Sequence, residues 1–288
     1  MKKGICHILI CFISLFFISG CYSKDDISIY QLSNQSYSQM MSYIIECEGT
    51  TIVVDGGTAE DEDNLINQIK KVSDDNIVDA WFITHYHKDH TGALAEYLDS
   101  GKNEITIKEV YYNFPENSWV EEYENGRYQD LLTIKEALNK IKNKKIVYEN
   151  QHVKFNDVEV DVLRTFNPEI TNNAGNNSSS VYKFNVKGTS ILFLGDLGEE
   201  GGQELLDINI ESIRNIDYVQ MAHHGQAGVT EEVYKVINPK YCLWPTTDWL
   251  WENINGDYKT DETKEWISKL NVIQNYIAND GTIRIQLD

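Results

Sequence analysis

A short apolar run at residues 80–83 is followed, after Thr84, by a dense group of potential metal ligands. The aromatic and β-branched residues of the run are typical of a buried strand. The ligands lie within six residues of one another: His85, His87, Asp89 and His90. Gly92 then precedes residues 93–98, which have helical character. Because a rigid strand, a ligand-rich loop and a helix hold side chains at fixed positions, the stretch predicts a metal site.

The spacing divides these ligands into two pairs. His85 and His87 point to the same side of an extended loop, since side chains alternate with a period of two, and can grip one ion. Asp89 and His90 come where the chain turns into the helix and can serve a second ion. The alternative is a polar loop with solvated histidines, which fits a lone histidine better than this group.

The segment from His85 to His90 resembles the HxHxDH signature of the metallo-β-lactamase fold superfamily. The resemblance implies an α/β fold, a four-layer αββα sandwich, and usually two metal ions at its edge. Imidazole and carboxylate ligands favour zinc, with manganese or iron as alternatives. The fold alone does not fix the reaction.

Two aspartates at predicted strand ends resemble further motifs of the superfamily. Asp55 precedes two glycines, and the resemblance implies that it supports the backbone of the metal loop rather than binding metal. Its alternative is a simple turn residue. Asp196 ends a strongly apolar strand, and the resemblance makes it the carboxylate that bridges two metal ions. Its alternative is a cap for a helix that starts near Gly198.

His223 and His224 stand at another predicted strand end, before Gly225. The superfamily takes the last ligand of its second metal ion from this position. The His-His-Gly form resembles the metallo-hydrolase domain of bacterial competence proteins, which form DNA-uptake channels. One histidine should bind metal, and the other could donate a proton or bind substrate phosphate. The sequence does not distinguish the two. We predict that His224 is the metal ligand and that His223, with Asp89, is catalytic.

The polar loop 168–180 lacks a histidine. Many members of the superfamily place a third histidine near here to complete the first metal site. The Asn-Asn-Ser-Ser run at 176–179 resembles the DNA-uptake subgroup instead. Occupancy of both metal sites is therefore open, and water or a side-chain oxygen could take the vacant ligand position.

The resemblance and the ligands together imply hydrolysis by a metal-bound hydroxide, because a metal ion lowers the pKa of bound water from about 15.7 toward about 7. The subgroup favours a phosphodiester, either DNA or a phosphorylcholine-type ester. Trp119 and Trp249 could hold a choline group by cation–π attraction, or could simply pack. The alternatives are a metal- or ligand-binding surface lipoprotein with reduced catalysis, and a lactone or lactam hydrolase.

The amino terminus has the pattern of a bacterial lipoprotein signal peptide, with a basic start and an apolar run. Residues 1–20 form the signal, and small residues before Cys21 resemble a lipobox. This implies lipidation of Cys21, a tether at 21–26, a hydrolase domain at 27–288, and a location on the outer face of the cell membrane. The alternative is an ordinary signal peptide.

The formal net charge of −20 predicts that no stable nucleic-acid complex forms by charge attraction alone. Cys47 and Cys242 lie in apolar strand-like contexts, which favours buried free thiols over a disulfide. The oligomeric state is not predicted.

Periodicity predicts helices over 61–72 and 128–141 and a single strand over 105–111. Residues 113–125 are expected to form an irregular insertion. The carboxyl-terminal segments 272–277 and 282–286 are expected to pair as a hairpin around an Asp-Gly turn.

Overall fold

A computed structural model of the protein describes residues 27–287. The strands are β1 (Ile27–Gln31), β2 (Tyr43–Cys47), β3 (Thr50–Val54), β4 (Ile77–Val78), β5 (Ala80–Phe82), β6 (Thr106–Ile107), β7 (Val110–Tyr112), β8 (Lys144–Ile146), β9 (His152–Phe155), β10 (Val158–Arg164), β11 (Val181–Val186), β12 (Thr189–Phe193), β13 (Tyr218–Gln220), β14 (Tyr241–Trp244), β15 (Gln274–Ile277) and β16 (Ile283–Gln286). The helices are α1 (Glu62–Val72), α2 (Lys88–Ser100), α3 (Asn117–Tyr123), α4 (Tyr128–Leu138), α5 (Ala174–Asn177), α6 (Glu199–Asn209), α7 (Glu231–Ile237), α8 (Asp248–Trp251) and α9 (Thr260–Ser268).

Two seven-stranded sheets form the centre of the molecule. The first has the order β16-β1-β2-β3-β5-β7-β8, and the second β15-β14-β13-β12-β11-β10-β9. One apolar core lies between the sheets, and a separate core covers the outer face of each. Helices α1, α2 and α4 cover the first sheet, and α6, α7 and α9 the second. These layers confirm the predicted four-layer αββα sandwich.

Aromatic side chains join the two sheets. Phe82 of β5 lies 5.2 Å from Tyr182 and 5.3 Å from Phe184 of β11, measured between ring centroids. Side chains of a strand alternate between its two faces, so the neighbouring residue Trp81 packs into the outer core beneath the helices instead. A strand covered on both faces must be apolar throughout, which explains the unbroken apolar run at 80–83.

The strand ends that carry the predicted ligands meet at one edge of the sandwich. β3 and β5 are parallel, as are β12 and β13. Parallel neighbours end at the same edge of a sheet, so the loops that follow these strands lie side by side. The first sheet supplies Asp55 and the metal loop, and the second supplies Asp196 and the two histidines.

Three predictions of local structure were wrong. Residues 105–111 form not one strand but two, because β6 pairs with β4 in a separate two-stranded ribbon, while β7 joins the first sheet. The 113–125 insertion contains helix α3, whose residue Val120 is buried. The expected hairpin of β15 and β16 does not form, since β15 pairs with β14 and β16 with β1, in different sheets. The Asp-Gly signal marks a turn, but long-range pairing decides where the strands go.

Cys47 and Cys242 are both buried and free, as predicted. Within residues 27–287, no helix has the length and apolar character that crossing a membrane requires. The predicted signal peptide, Cys21 and the tether lie outside the described residues.

Candidate metal centre

Asp55 links the end of β3 to the metal loop. Its buried carboxylate accepts hydrogen bonds from the Thr84 backbone N–H at 2.8 Å and the Thr84 hydroxyl at 2.7 Å. The same carboxylate lies 2.7 Å from Nδ1 of His90. A carboxylate that accepts from one imidazole nitrogen fixes the ring so that the other nitrogen can bind metal. Asp55 is therefore placed to orient the His90 ring rather than to bind metal itself.

Four buried residues bring one ligand atom each to within 4.8 Å of all the others. They are Asp89, His90, Asp196 and His224. Asp196 lies between the two histidines, with Oδ1 3.1 Å from His90 Nε2 and Oδ2 3.4 Å from His224 Nε2. His224 Nε2 is also 3.4 Å from Oδ2 of Asp89. Four of the six predicted ligands thus form one compact group.

The tautomer of His224 follows from its surroundings. Its Nδ1 lies 2.8 Å from the backbone oxygen of Pro245. A carbonyl oxygen can only accept a hydrogen bond, so Nδ1 carries the proton and, in the neutral ring, Nε2 presents a lone pair. That lone pair faces the Asp89 and Asp196 carboxylates, an arrangement that needs either a proton or a cation between them.

Buried polar atoms without hydrogen-bond partners converge on this place. Among the described residues they include Nε2 of three histidines and one oxygen of each aspartate: His85, His90, His224, Asp89 and Asp196. Some of these atoms are close, but none has the geometry of a hydrogen bond. Since orphaned buried polar atoms are costly, the site fits positive ions to which these atoms could bind. The fold and this donor set suit divalent metal ions.

The charges of the group depend on one another. Burial lowers the pKa of His224, but the facing carboxylates of Asp196 and Asp89 outweigh burial and raise that pKa to about 9. Burial raises the pKa of Asp89, but the neighbouring imidazoles of His224 and His90 outweigh burial and leave that pKa below its usual value. Without metal, the group therefore needs protons on His90 and His224 to balance the carboxylates. A divalent ion could replace these protons.

His85 and His87 lie beside the group but are not part of it. The Nε2 atom of His85 is buried without a partner, and burial followed by repulsion from His90 and His87 holds the pKa of His85 well below its usual value. His87 Nε2 lies 3.0 Å from a carboxylate oxygen of Glu124. Glu124 was missed from the sequence, since it follows α3 in the 113–125 insertion and belongs to no motif.

His223 stands at the mouth of the site. Its Nδ1 lies 3.2 Å from the Ala227 carbonyl oxygen, so in the neutral ring the free nitrogen is Nε2, which is 3.9 Å from Asp196 Oδ2. Asn176 Nδ2 lies 3.4 Å from the same nitrogen. His223 and His224 both have left-handed backbones, with φ of 49° and 57°. Such strain in non-glycine residues is retained where a fold needs a specific side-chain direction.

Comparison with known proteins agrees with this architecture. The Metallo-beta-lactamase superfamily model matches residues 38–242. ComE operon protein 3 of Bacillus subtilis (strain 168) is 28% identical over 171 residues, covering 58% of this chain and 20% of that protein. The chain thus spans about a fifth of the length of this curated relative.

Solved structures share the fold at low identity. The metallo-beta-lactamase fold protein YhfI from Bacillus subtilis has a TM-score of 0.58 and 12% identity, covering 91% of this chain and 100% of that one. CmlA, a diiron β-hydroxylase from Streptomyces venezuelae, has a TM-score of 0.56 and 13% identity, covering 91% and 54%. A diphosphatase of the PhnP family has a TM-score of 0.52 and 14% identity, covering 91% and 98%. Because the superfamily's sequence model matches most of the chain, residues 38–242, the protein belongs to the metallo-beta-lactamase superfamily.

Proposed function

We propose that the protein is a metal-dependent phosphodiesterase that acts at the cell surface. The observation that carries the substrate class is a groove that reaches the ligand group at Asp89 and is lined by two cationic side chains. Asp89 lines this groove together with Lys88 and Arg127. In a chain with a formal net charge of −20, two cationic side chains next to a metal ligand favour an anionic substrate.

The far wall of the groove is aromatic. Trp249 and Tyr37 both line it, and their rings stack with centroids 5.7 Å apart. The ring of Tyr258 also packs against Trp249, with centroids 5.2 Å apart. An aromatic pair beside two cations can hold the organic part of a phosphodiester, by stacking on a nucleobase or by cation–π contact with choline.

Bound metal ions would supply an activated water and would offset the negative charge on the phosphoryl oxygens. The residues of the chain would do the rest. Asp89, at the junction of the groove and the ligand group, is placed to accept a proton from the attacking water. His223, whose Nε2 can take up a proton from solvent at the partly exposed mouth, is placed to pass that proton to the leaving oxygen. Lys88 and Arg127 would orient the phosphate.

Two further observations support this proposal. The His223-His224-Gly225 form resembles the metallo-hydrolase domain of DNA-uptake channels, whose substrate is a phosphodiester polymer. A protein of the same fold is a diphosphatase, so the sandwich accommodates phosphoryl chemistry. Zinc is the metal ion that we propose, on the basis of the imidazole and carboxylate ligands.

The first test is hydrolysis of bis-p-nitrophenyl phosphate and p-nitrophenylphosphorylcholine by metal-stripped protein to which zinc or manganese is returned. We expect metal-dependent turnover. The Lys88→Gln variant should raise KM for the phosphodiester about tenfold, since a hydrogen bond to a charged group contributes about 1.5–3 kcal/mol. The control is Lys70→Gln, because Lys70 pairs with Glu104 on the surface and does not line the groove.

The outcomes separate the candidate substrates. A strong preference for the choline ester would exclude DNA as the natural substrate. Equal turnover of both compounds would favour DNA. Hydrolysis of a chromogenic cephalosporin without hydrolysis of either phosphodiester would refute the phosphodiesterase proposal and favour a lactam hydrolase.

We propose that a lipid on Cys21 holds the protein on the outer face of the membrane. The Cys21→Ala variant should therefore move from the membrane fraction to the soluble or secreted fraction, as measured by fractionation and immunoblotting. Retention of this variant in the membrane, unchanged, would contradict lipid anchoring at Cys21.

A further inference from the structure

Glu124 reaches the metal loop from outside the family motifs. One of its carboxylate oxygens lies 3.0 Å from His87 Nε2 and also accepts a hydrogen bond from the Tyr86 hydroxyl. The Glu124 side chain is 22% exposed, and that of His87 is 6% exposed. A carboxylate is therefore held against one of the two predicted histidine ligands that the four-residue group leaves out.

The loop that lacks the third histidine leaves room for this carboxylate. A Cβ atom added at Gly175 would lie 1.8 Å from the nearer Glu124 oxygen and 2.3 Å from His87 Nε2. Gly175 belongs to the short buried helix α5, so its backbone packs directly against both groups. No side chain larger than hydrogen fits at Gly175 while Glu124 occupies this position.

The insertion that carries Glu124 is fastened to the same loop. The indole N–H of Trp119, in α3, donates to the backbone oxygen of Pro168 at 3.1 Å, and its ring packs on Phe166 at 4.6 Å. Glu124 N–H donates to the Val120 carbonyl oxygen at 2.8 Å and so continues the last turn of α3. These contacts fix where the carboxylate enters the site.

We propose that Glu124 takes the place of the absent histidine and, with His85 and His87, forms a second metal site. The inference rests on the proposed metal-dependent function only in requiring that metal binds. Two imidazoles and one glutamate are a known ligand set for catalytic zinc. Ligand atoms on one tetrahedral zinc ion, with bonds of about 2.0–2.1 Å, stand about 3.3 Å apart, close to the observed separation of Glu124 and His87.

The test measures metal binding in the full chain and does not depend on turnover. Metal-stripped wild-type protein should bind two zinc ions by calorimetric titration and by elemental analysis after dialysis. Glu124→Gln keeps the size and hydrogen-bonding capacity of the side chain but removes its charge. We expect it to retain one tight ion, in the four-residue group, and to bind the second at least ten times more weakly.

Two other variants complete the design. Glu121→Gln removes the same charge from an exposed position of α3 and should bind both ions like the wild type. Tyr86→Phe removes the hydroxyl that orients Glu124 and should weaken only the second ion, by less than Glu124→Gln does. Cobalt-substituted protein should show the same loss as a change in its visible absorption spectrum.

The proposal would be overturned by a Glu124→Gln protein that binds two ions with unchanged affinity, or by a wild type that binds a single ion. Failure of the proposed function would look different. In that case the wild type would bind two ions, Glu124→Gln would lose the second, and neither protein would hydrolyse a phosphodiester.

Discussion

The Asp196→Asn variant is expected to lose metal-dependent hydrolysis almost completely, by at least about 10³-fold, since removal of a single electrostatic stabiliser already costs 10²–10³-fold in other enzymes. Asp196 lies between His90 and His224, and its Oδ1 is buried without a hydrogen-bond partner. Asparagine has the same shape but no charge, and its amide group would place a donor where a cation should lie. Elemental analysis and initial rates of phosphodiester hydrolysis measure the two effects.

The matched control is Asp207→Asn. Asp207 is exposed in α6, and its carboxylate accepts from Gln203 on the same helix. This variant should keep both its metal content and its activity. If Asp196→Asn retained full metal content and lost activity only a few-fold, Asp196 would not be a ligand.

The Gly92→Ala variant is expected to lower the free energy of unfolding by about 3 kcal/mol, the upper part of the range for overpacked sites. Gly92 lies in α2, where a Cβ atom would stand 2.6 Å from the Ala59 backbone nitrogen and 2.8 Å from the Thr58 carbonyl carbon. Backbone atoms cannot move aside as a flexible side chain can. Intrinsic helix propensity favours alanine by about 1 kcal/mol, so a measured loss isolates the steric effect.

Thermal unfolding followed by circular dichroism should show this loss as a fall in Tm of about 6–12 °C. Gly126→Ala is the control, because an added Cβ there meets no atom within 4 Å. Its Tm should be unchanged or slightly higher. An equal Tm for Gly92→Ala and wild type would show that α2 can move away from the 58–59 backbone at little cost.

Much of the site could be predicted from the sequence because its ligands directly follow the ends of strands along the chain. The apolar run before His85 and the glycines after Asp55 and His224 are local signals, and parallel strand pairing brings the loops that carry them to one edge. The α/β sandwich and the buried thiols were confirmed for the same reason: local pattern and long-range packing agree.

Other features depend on contacts that no local pattern reports. β16 follows a turn signal but pairs with β1, more than 250 residues away in the chain. Glu124 meets His87 across 37 residues and lies just after the end of α3, in no recognisable motif. Alternation along the loop suggested that His85 and His87 share one ion, but it gave no sign of the contacts that His87 makes with Glu124 and Tyr86.

The ligand group is divided between the two sheets. Asp89 and His90 follow β5 of the first sheet, whereas Asp196 and His224 follow β12 and β13 of the second. An ion bound among them is therefore a non-covalent cross-link between the two halves of the sandwich. By mass action, metal at about a thousand times its dissociation constant adds about 4 kcal/mol to the free energy of unfolding. Scarcity of metal ions would then lower the stability of the folded protein along with its catalysis, because the two halves of the sandwich would lose this link.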